Sequence, residues 1–429
     1  MQSLMKNDAK LALTMSTLTF AANFSIWTLY AVLGVHLAPQ LDLSVTQYGI
    51  LVASPIFTGA LLRLPVGFLC EYHSTRHLFI VQMMLTLPPL LLLNYVNTFY
   101  GYLLVGLLLG VSGVSFTIGI RYVSQFFESQ QQGMAMGIFG AGNAGAAITL
   151  LVAPYIINHW GLNFVGPFFA LGISLMIVLF MLLAPGIKAP SLAQFKPISF
   201  HLAPLKNLTV WRFGLYYYFV FGSFLALLLW LPYYYVNAYQ LTPSQAMAWT
   251  LVFATSSSLV RAIGGWYSDQ YGGRSVNWSV FWICLVCLFF LSYPPTTMVI
   301  HGVNRDVNVE IKVGLGLFNL LIFIIGLAQG FGRASVYKIL HDYYPHHMGS
   351  VGGTVAMIGG IGGFTLPVLF GLIVDFAGVY SASFMFLYGV AAACMIVMYF
   401  AIRSDTHRLR MEHALDTDFL HKIQKSKIE

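Results

Sequence analysis

Arginine stands at position 63 and again at position 261, and each opens the same pattern, R-x3-G-x3-[DE]. The first copy runs through Gly67 to Glu71 and the second through Gly265 to Asp269, inside sequence that is otherwise almost wholly apolar. A guanidinium keeps its charge in proteins and offers five donors in a planar fork. Residues four apart share one face of a helix, so each arginine lies on a stripe with its glycine and its acid. Eight residues of helix rise about 12 Å, against about 15 Å for half a hydrocarbon core. With Glu71 and Asp269 at a membrane boundary, both arginines come to rest near the middle of the bilayer.

A charge at that depth costs about 2.5–3.5 kcal/mol on insertion scales and needs compensation. Carboxylates do not supply it, because all 14 Asp and Glu residues fall in loops, tails or helix ends of the spans assigned below. Two permanent cations at equivalent positions, without protein counter-ions, make a site that attracts an anion. The plainer alternative is that each arginine snorkels or binds backbone carbonyls.

The elements that must position these groups follow from composition. Of 429 residues, 58% are hydrophobic and only 8% charged, and the mean hydropathy is +0.77. A soluble domain carries about a quarter charged residues, so lipid must cover most of this chain. At about 20 apolar residues per crossing, the pattern predicts an all-α integral membrane protein with twelve transmembrane helices. The spans fall at 10–38, 45–70, 77–97, 99–126, 131–157, 162–184, 209–238, 244–268, 275–293, 313–340, 350–376 and 379–402.

They form two pseudo-symmetric six-helix bundles, 1–184 and 209–402, joined by a linker at 185–208 and followed by a tail at 403–429. The tail is expected to be an amphipathic helix or disordered. Of the 21 Lys and Arg residues, 17 fall on one side of this topology, which places both termini in the cytoplasm. The net charge of +7 is then a topology signal and not a nucleic-acid surface. A multi-pass protein of a bacterial inner membrane is expected, working as a monomer. The first apolar run is long enough to span and lacks a signal-peptide cleavage pattern.

Cys284 and Cys287 have CxxC spacing, but FWICLVCLFF offers no polar metal partners, so they read as packing residues with Cys70 and Cys394. No nucleophile–base constellation, P-loop or metal-spaced cluster lies in a span. Neither an enzyme nor a cofactor or metal site is expected. Arg333 reads as an inside-loop anchor, or alternatively as a residue of the cytoplasmic vestibule. Tyr233-Tyr234-Tyr235 reads as an aromatic belt at the far membrane interface.

The bundles are related to each other. The arginine patterns recur at an offset of 198, and Gly140-Ala-Gly142-Asn143 faces Gly360-Ile-Gly362-Gly363 at an offset of 220. The extra length is assigned to an outside loop, His301 to Lys312, that has no counterpart in the first half. Repeated halves with a site between them are common in secondary transporters.

The run Gly265-Trp-Tyr-Ser-Asp269-Gln-Tyr-Gly272-Gly273-Arg274 resembles the loop motif of the major facilitator superfamily. The first copy departs from it, with Tyr72 and Ser74 where arginine and glycine are expected. Within that superfamily the chain is similar to the nitrate/nitrite porter family. The likeness rests on Arg63 and Arg261 in the second and eighth spans. It extends to glycine-rich fifth and eleventh spans, with Gly137, Gly140 and Gly142 in one and Gly359, Gly360, Gly362 and Gly363 in the other. Tyr217 stands before Phe221-Gly222-Ser223-Phe224, and Phe116 lies in the fourth span.

The resemblance implies that Arg63 and Arg261 clamp a small inorganic oxyanion, nitrate or nitrite. Asn143 and Tyr217 would add hydrogen bonds, Phe116 and Phe221 would form walls, and Gly67, Glu71, Gly265, Asp269 and Arg274 would serve the gating loops. Anion exchange is the expected mode, since no titratable Asp, Glu or His falls at mid-membrane, although proton symport stays open. The alternative is a carrier of small organic anions, or a metabolite or drug exporter, of the same superfamily.

Overall fold

The computed structural model describes residues 2–127, 131–186, 203–301, 303, 305–344 and 348–426. Most of the expected linker, residues 187–202, lies outside the described residues. Twelve helices among the described residues are long and apolar enough to cross a membrane. They are α1 Asn7–Gln40, α2 Val45–Tyr72, α3 Thr75–Tyr95, α4 Phe99–Ser124, α5 Met134–Trp160 and α6 Leu162–Leu183 in the first half. The second half holds α7 Leu208–Tyr239, α8 Pro243–Tyr271, α9 Gly273–Leu291, α10 Leu315–Tyr343, α11 Ser350–Ala377 and α12 Ala382–Asp405.

An even number of crossings puts both ends of the chain on one side, here the terminal face, and the other is the distal face. The helix of α12 continues through Ser426, so the tail is helical that far. Between α9 and α10 the expected loop forms a hairpin instead, β1 Thr296–His301 paired antiparallel with β2 Asp306–Ile311.

Local sequence starts α2 and α8 in the same way. Ser44 accepts from the backbone of Gln47 and the Gln47 side chain returns to the Ser44 N–H, and Thr242 and Gln245 repeat this capping box. Each box satisfies two otherwise orphaned donors. The two boxes stand at the same 198-residue offset as the arginines, so the duplication holds from helix start to mid-membrane. The halves meet where α2 lies along α11 and α5 along α8. Only glycine permits the α2–α11 approach at one level, because a Cβ on Gly49 would stand 2.3 Å from the Pro367 carbonyl oxygen.

On the distal face the halves are joined. Asp375 of α11 accepts from the Val45 and Thr46 amides at 3.2 and 2.9 Å and from Thr46 Oγ1 at 2.5 Å, at the N-terminus of α2. Tyr48 donates to the Leu229 carbonyl at 2.8 Å, and Asn158 Nδ2 donates to Ser244 Oγ at 3.2 Å.

Tyr233-Tyr234-Tyr235 therefore needs correcting. These are not a lipid-facing belt but buried side chains, with Tyr233 stacked on Tyr48 and Tyr235 donating to Asn319 Oδ1. The other half covers Tyr233, and Phe318 and Phe384 of the same half cover Tyr234 and Tyr235.

Asp375→Ala removes three bonds from this closure. At an exposed position they hold the closed state by about 1 kcal/mol, roughly a fivefold population ratio. Spin labels at Gln40 and Val379 are expected to report a matching gain in the separated distal state.

Candidate functional site

The Arg63 side chain is 3% exposed, held between aromatic rings and one backbone carbonyl. Its Nη1 donates to the Ala356 carbonyl of α11 at 2.8 Å. Its guanidinium carbon lies 5.2, 5.5 and 5.5 Å from the ring centroids of Trp27, Phe116 and Phe221. These are cation–π distances, and the attraction grows where water is excluded. Trp27 is fixed in turn by donating to the Pro55 carbonyl at 2.8 Å, and a Cβ on Gly59 or Gly113 would strike its indole.

The second arginine repeats the placement on the other side of the molecule. A Cβ on Gly140 of α5 would stand 3.3 Å from Arg261 Nη1, and one on Gly360 of α11 would stand 3.8 Å from Arg63 Nη1. The repeat in sequence thus becomes a repeat in space, with each arginine facing the glycine groove of the opposite half. Gly142 accommodates Phe20, Gly362 meets Gly222, and Gly363 meets Leu225. Gly137 behaves differently from its expected role, since nothing lies within 4 Å of a Cβ there and no helix closes on it.

Helix α7 carries a π-helical turn at Tyr218–Gly222, a distortion that often marks functional sites. Tyr217 stacks on Phe221 with centroids 5.0 Å apart and meets Tyr337 edge-on at 5.3 Å, while the Tyr337 hydroxyl donates to the Gly352 carbonyl at 3.4 Å. Tyr337 of α10 lies close enough to Arg63 and Arg261 for both charges to act on it.

Sequence reasoning passed over Tyr337 and Trp27. Tyr337 had a readable signal, because it stands one helical turn after Arg333 on the same face. Trp27 had none, as its role depends on where glycines of α2 and α4 leave room.

Arg333 corrects the inside-loop reading. It is fully buried, with Nη2 donating to Ser257 O and Oγ at 2.6 and 2.8 Å and its guanidinium 4.0 Å from the Phe224 centroid. The helix runs ten residues beyond it to Tyr343, a rise of about 15 Å that puts it at mid-membrane. It is near enough to Arg261 for the two charges to repel.

Two buried guanidiniums, Arg63 and Arg333, and the half-buried Arg261 therefore share the interior. Among the described residues none has an ion-pair partner. The pairs at the terminal face join Arg212 and Arg274 to Asp405, and Lys338 to Asp269 and Asp342. Arg63 Nε, Arg261 Nη1, Arg333 Nη1 and Asn143 Nδ2 are buried donors with no acceptor. Buried donors are rarely left so, and four of them, three on cations, suit a bound anion.

The family model of the Major Facilitator Superfamily matches residues 15–304. The "Probable nitrate/nitrite antiporter NarK1" of Thermus thermophilus is 35% identical over 409 residues, covering 92% of this chain and 92% of that protein. The chain belongs to the nitrate/nitrite porters of the major facilitator superfamily. The "Nitrite extrusion protein" of Bacillus subtilis is 26% identical, covering 96% of this chain and all of its own. A bacterial homologue of the human lysosomal transporter Spinster, solved inward-facing and occupied, shares the fold. Its TM-score is 0.69 at 13% identity, over 91% of this chain and 96% of that one.

In this porter the residues expected to serve the gating loops divide. Asp269 pairs with Lys338 at 3.5 Å and Arg274 pairs with Asp405, both inside the second half. Glu71 ends α2, Gly67 passes Thr117 with room for a Cβ, and nothing lies within 4 Å of one on Gly265.

Gly359 is the tightest constraint on the aromatic wall. A Cβ there would stand 2.4 Å from Tyr217 Cδ1 and 3.1 Å from Phe221 Cδ1, and the edge-on ring of Tyr337, 5.3 Å away between centroids, backs Tyr217. Gly359→Ala is expected to cost about 1–3 kcal/mol of overpacking. It should also displace the rings from Arg63, so that transport in proteoliposomes falls further than thermal stability alone accounts for.

Proposed function

We propose that this porter moves nitrate and nitrite across the membrane by alternating access, with Arg63 and Arg261 clamping the anion from opposite halves. The carrying observation is the set of buried, unaccepted donors on arginines that have no carboxylate among their described neighbours. A trigonal oxyanion is planar, matches the guanidinium fork, and stacks between aromatic faces such as Phe116 and Phe221. Asn143 Nδ2 supplies a neutral donor, and the Tyr217 hydroxyl supplies another. The names of the Thermus and Bacillus relatives agree with this cargo.

Exchange follows from the electrostatics. An empty site carries uncompensated positive charge, and closing around it means desolvating that charge. A bound anion removes most of the penalty, so the loaded carrier isomerises and the empty one resists. Asp, Glu and His in the described spans stand near helix ends, which leaves no mid-membrane carboxylate or imidazole to carry a proton. The Lys and Arg distribution supports cytoplasmic termini, in an inner membrane.

Thermal-shift measurements against nitrate, nitrite, chloride, sulfate, phosphate and small carboxylates test the cargo, because a ligand at 100 times its Kd stabilises by about 2.7 kcal/mol. Nitrate and nitrite are expected to stabilise, and a response to carboxylates alone would remove the proposal. Counterflow in proteoliposomes tests the mode. Uptake that needs a proton gradient and ignores internal anion would refute exchange.

A further inference from the structure

The hairpin between α9 and α10 has two chemically distinct faces, and both are exposed. In an extended strand alternate residues share a face, and the register pairs Met298 with Val309 and Ile300 with Val307. One face therefore carries Thr296, Met298, Ile300, Val307, Val309 and Ile311. The other carries Thr297, Val299, His301, Asp306, Asn308 and Glu310, with His301 Nδ1 at 2.9 Å from Asp306 and Lys312 Nζ at 3.1 Å from Glu310. Met298, Ile300 and Val307 remain 44 to 46% exposed. A lone two-stranded hairpin is marginal in water and needs a further surface to pack on.

We propose that this apolar face lies in the interfacial layer of the bilayer's distal leaflet, where it anchors the α9–α10 corner to lipid. The tethers set its height. Four residues join Leu291 to Thr296 and three join Ile311 to Leu315, so the strands begin where two spans leave the hydrocarbon.

The neighbouring surface is already lipid-facing, with Phe289, Phe290 and Tyr293 exposed beside the end of α9 and Leu317 and Leu320 exposed at the start of α10. The hairpin's charged pairs occupy the opposite face, and Arg305 stands exposed at the turn, within reach of anionic headgroups. An element with one apolar and one charged face, held at this depth, has the chemistry of a segment lying in the membrane interface.

The test uses the full chain in nanodiscs, with an environment-sensitive fluorophore on Ile300→Cys or on Asn308→Cys. All four native cysteines are buried and do not compete for label. Lipids brominated on the acyl chain are expected to quench the Ile300 label severalfold more than the Asn308 label, and aqueous iodide the reverse. Equal iodide quenching at both positions would overturn the proposal. So would an Ile300 label shielded from both quenchers, which a protein partner or second copy would produce. The readout needs no substrate, so it stands apart from the cargo assignment.

Discussion

Arg63→Lys and Arg261→Lys are each expected to weaken nitrate and nitrite binding by about one to two orders of magnitude, and to reduce exchange accordingly. The size follows from losing at least one charge-assisted hydrogen bond, worth about 1.5–3 kcal/mol. Lysine keeps the charge, so the cost of holding a cation at mid-membrane hardly changes. What goes is shape. An ammonium has no plane to lie against Trp27, Phe116 and Phe221, and no fork to hold the Ala356 carbonyl while another N–H faces the anion.

The variants should therefore fold, melt near the wild-type temperature without anion, and lose the anion-dependent rise. Full retention of that rise in both would contradict the clamp. Similar losses from the two sites would reflect their equivalence, each facing a glycine of the opposite half.

Much of this was legible before any coordinates, for definable reasons. Charge is so scarce in the chain that each arginine had to be accounted for, and hydrophobic length fixes span number almost without reference to packing. Register between the halves was legible because duplication preserved a pattern with a helical period. The Tyr233-Tyr234-Tyr235 run misled because interface and buried positions share the same amino-acid types. Tertiary packing decides between them, by Tyr48 of the other half on Tyr233 and by Phe318 and Phe384 of the same half on Tyr234 and Tyr235. Arg333 misled because its depth was judged from Lys338 and from a span ended at 340, whereas the helix extends to Tyr343.

Gly137 was grouped with its neighbours by composition, and glycine alone does not say which face meets a helix. The hairpin was seen as an insertion but not as strands. Alternation over six residues is a weak signal beside twelve long apolar runs.

Arg333→Met is expected to move stability and binding in opposite directions. Arg333 is completely buried, stacked on Phe224 and bonded to neutral oxygens, without a described anionic partner. Replacing buried charge by an apolar side chain of similar volume is often neutral or stabilising, by up to about 4 kcal/mol. Methionine is unbranched and adaptable enough to fill the slot on Phe224. The anion-free melting temperature should therefore hold or rise.

Binding should fall, because the Arg333 charge lies in the same low-dielectric core and acts on Arg261. Unit charges at an effective dielectric of about 20 interact by about 4 kcal/mol at about 4 Å and by less with distance, so a loss of about tenfold in affinity is expected. If Arg333 only braced α8 against α10, the melting temperature would drop and the anion-dependent increment would survive. Melting curves with and without saturating nitrate separate the two roles. A lowered baseline with an intact nitrate shift would assign Arg333 to packing and return the cargo's charge balance to Arg63 and Arg261 alone.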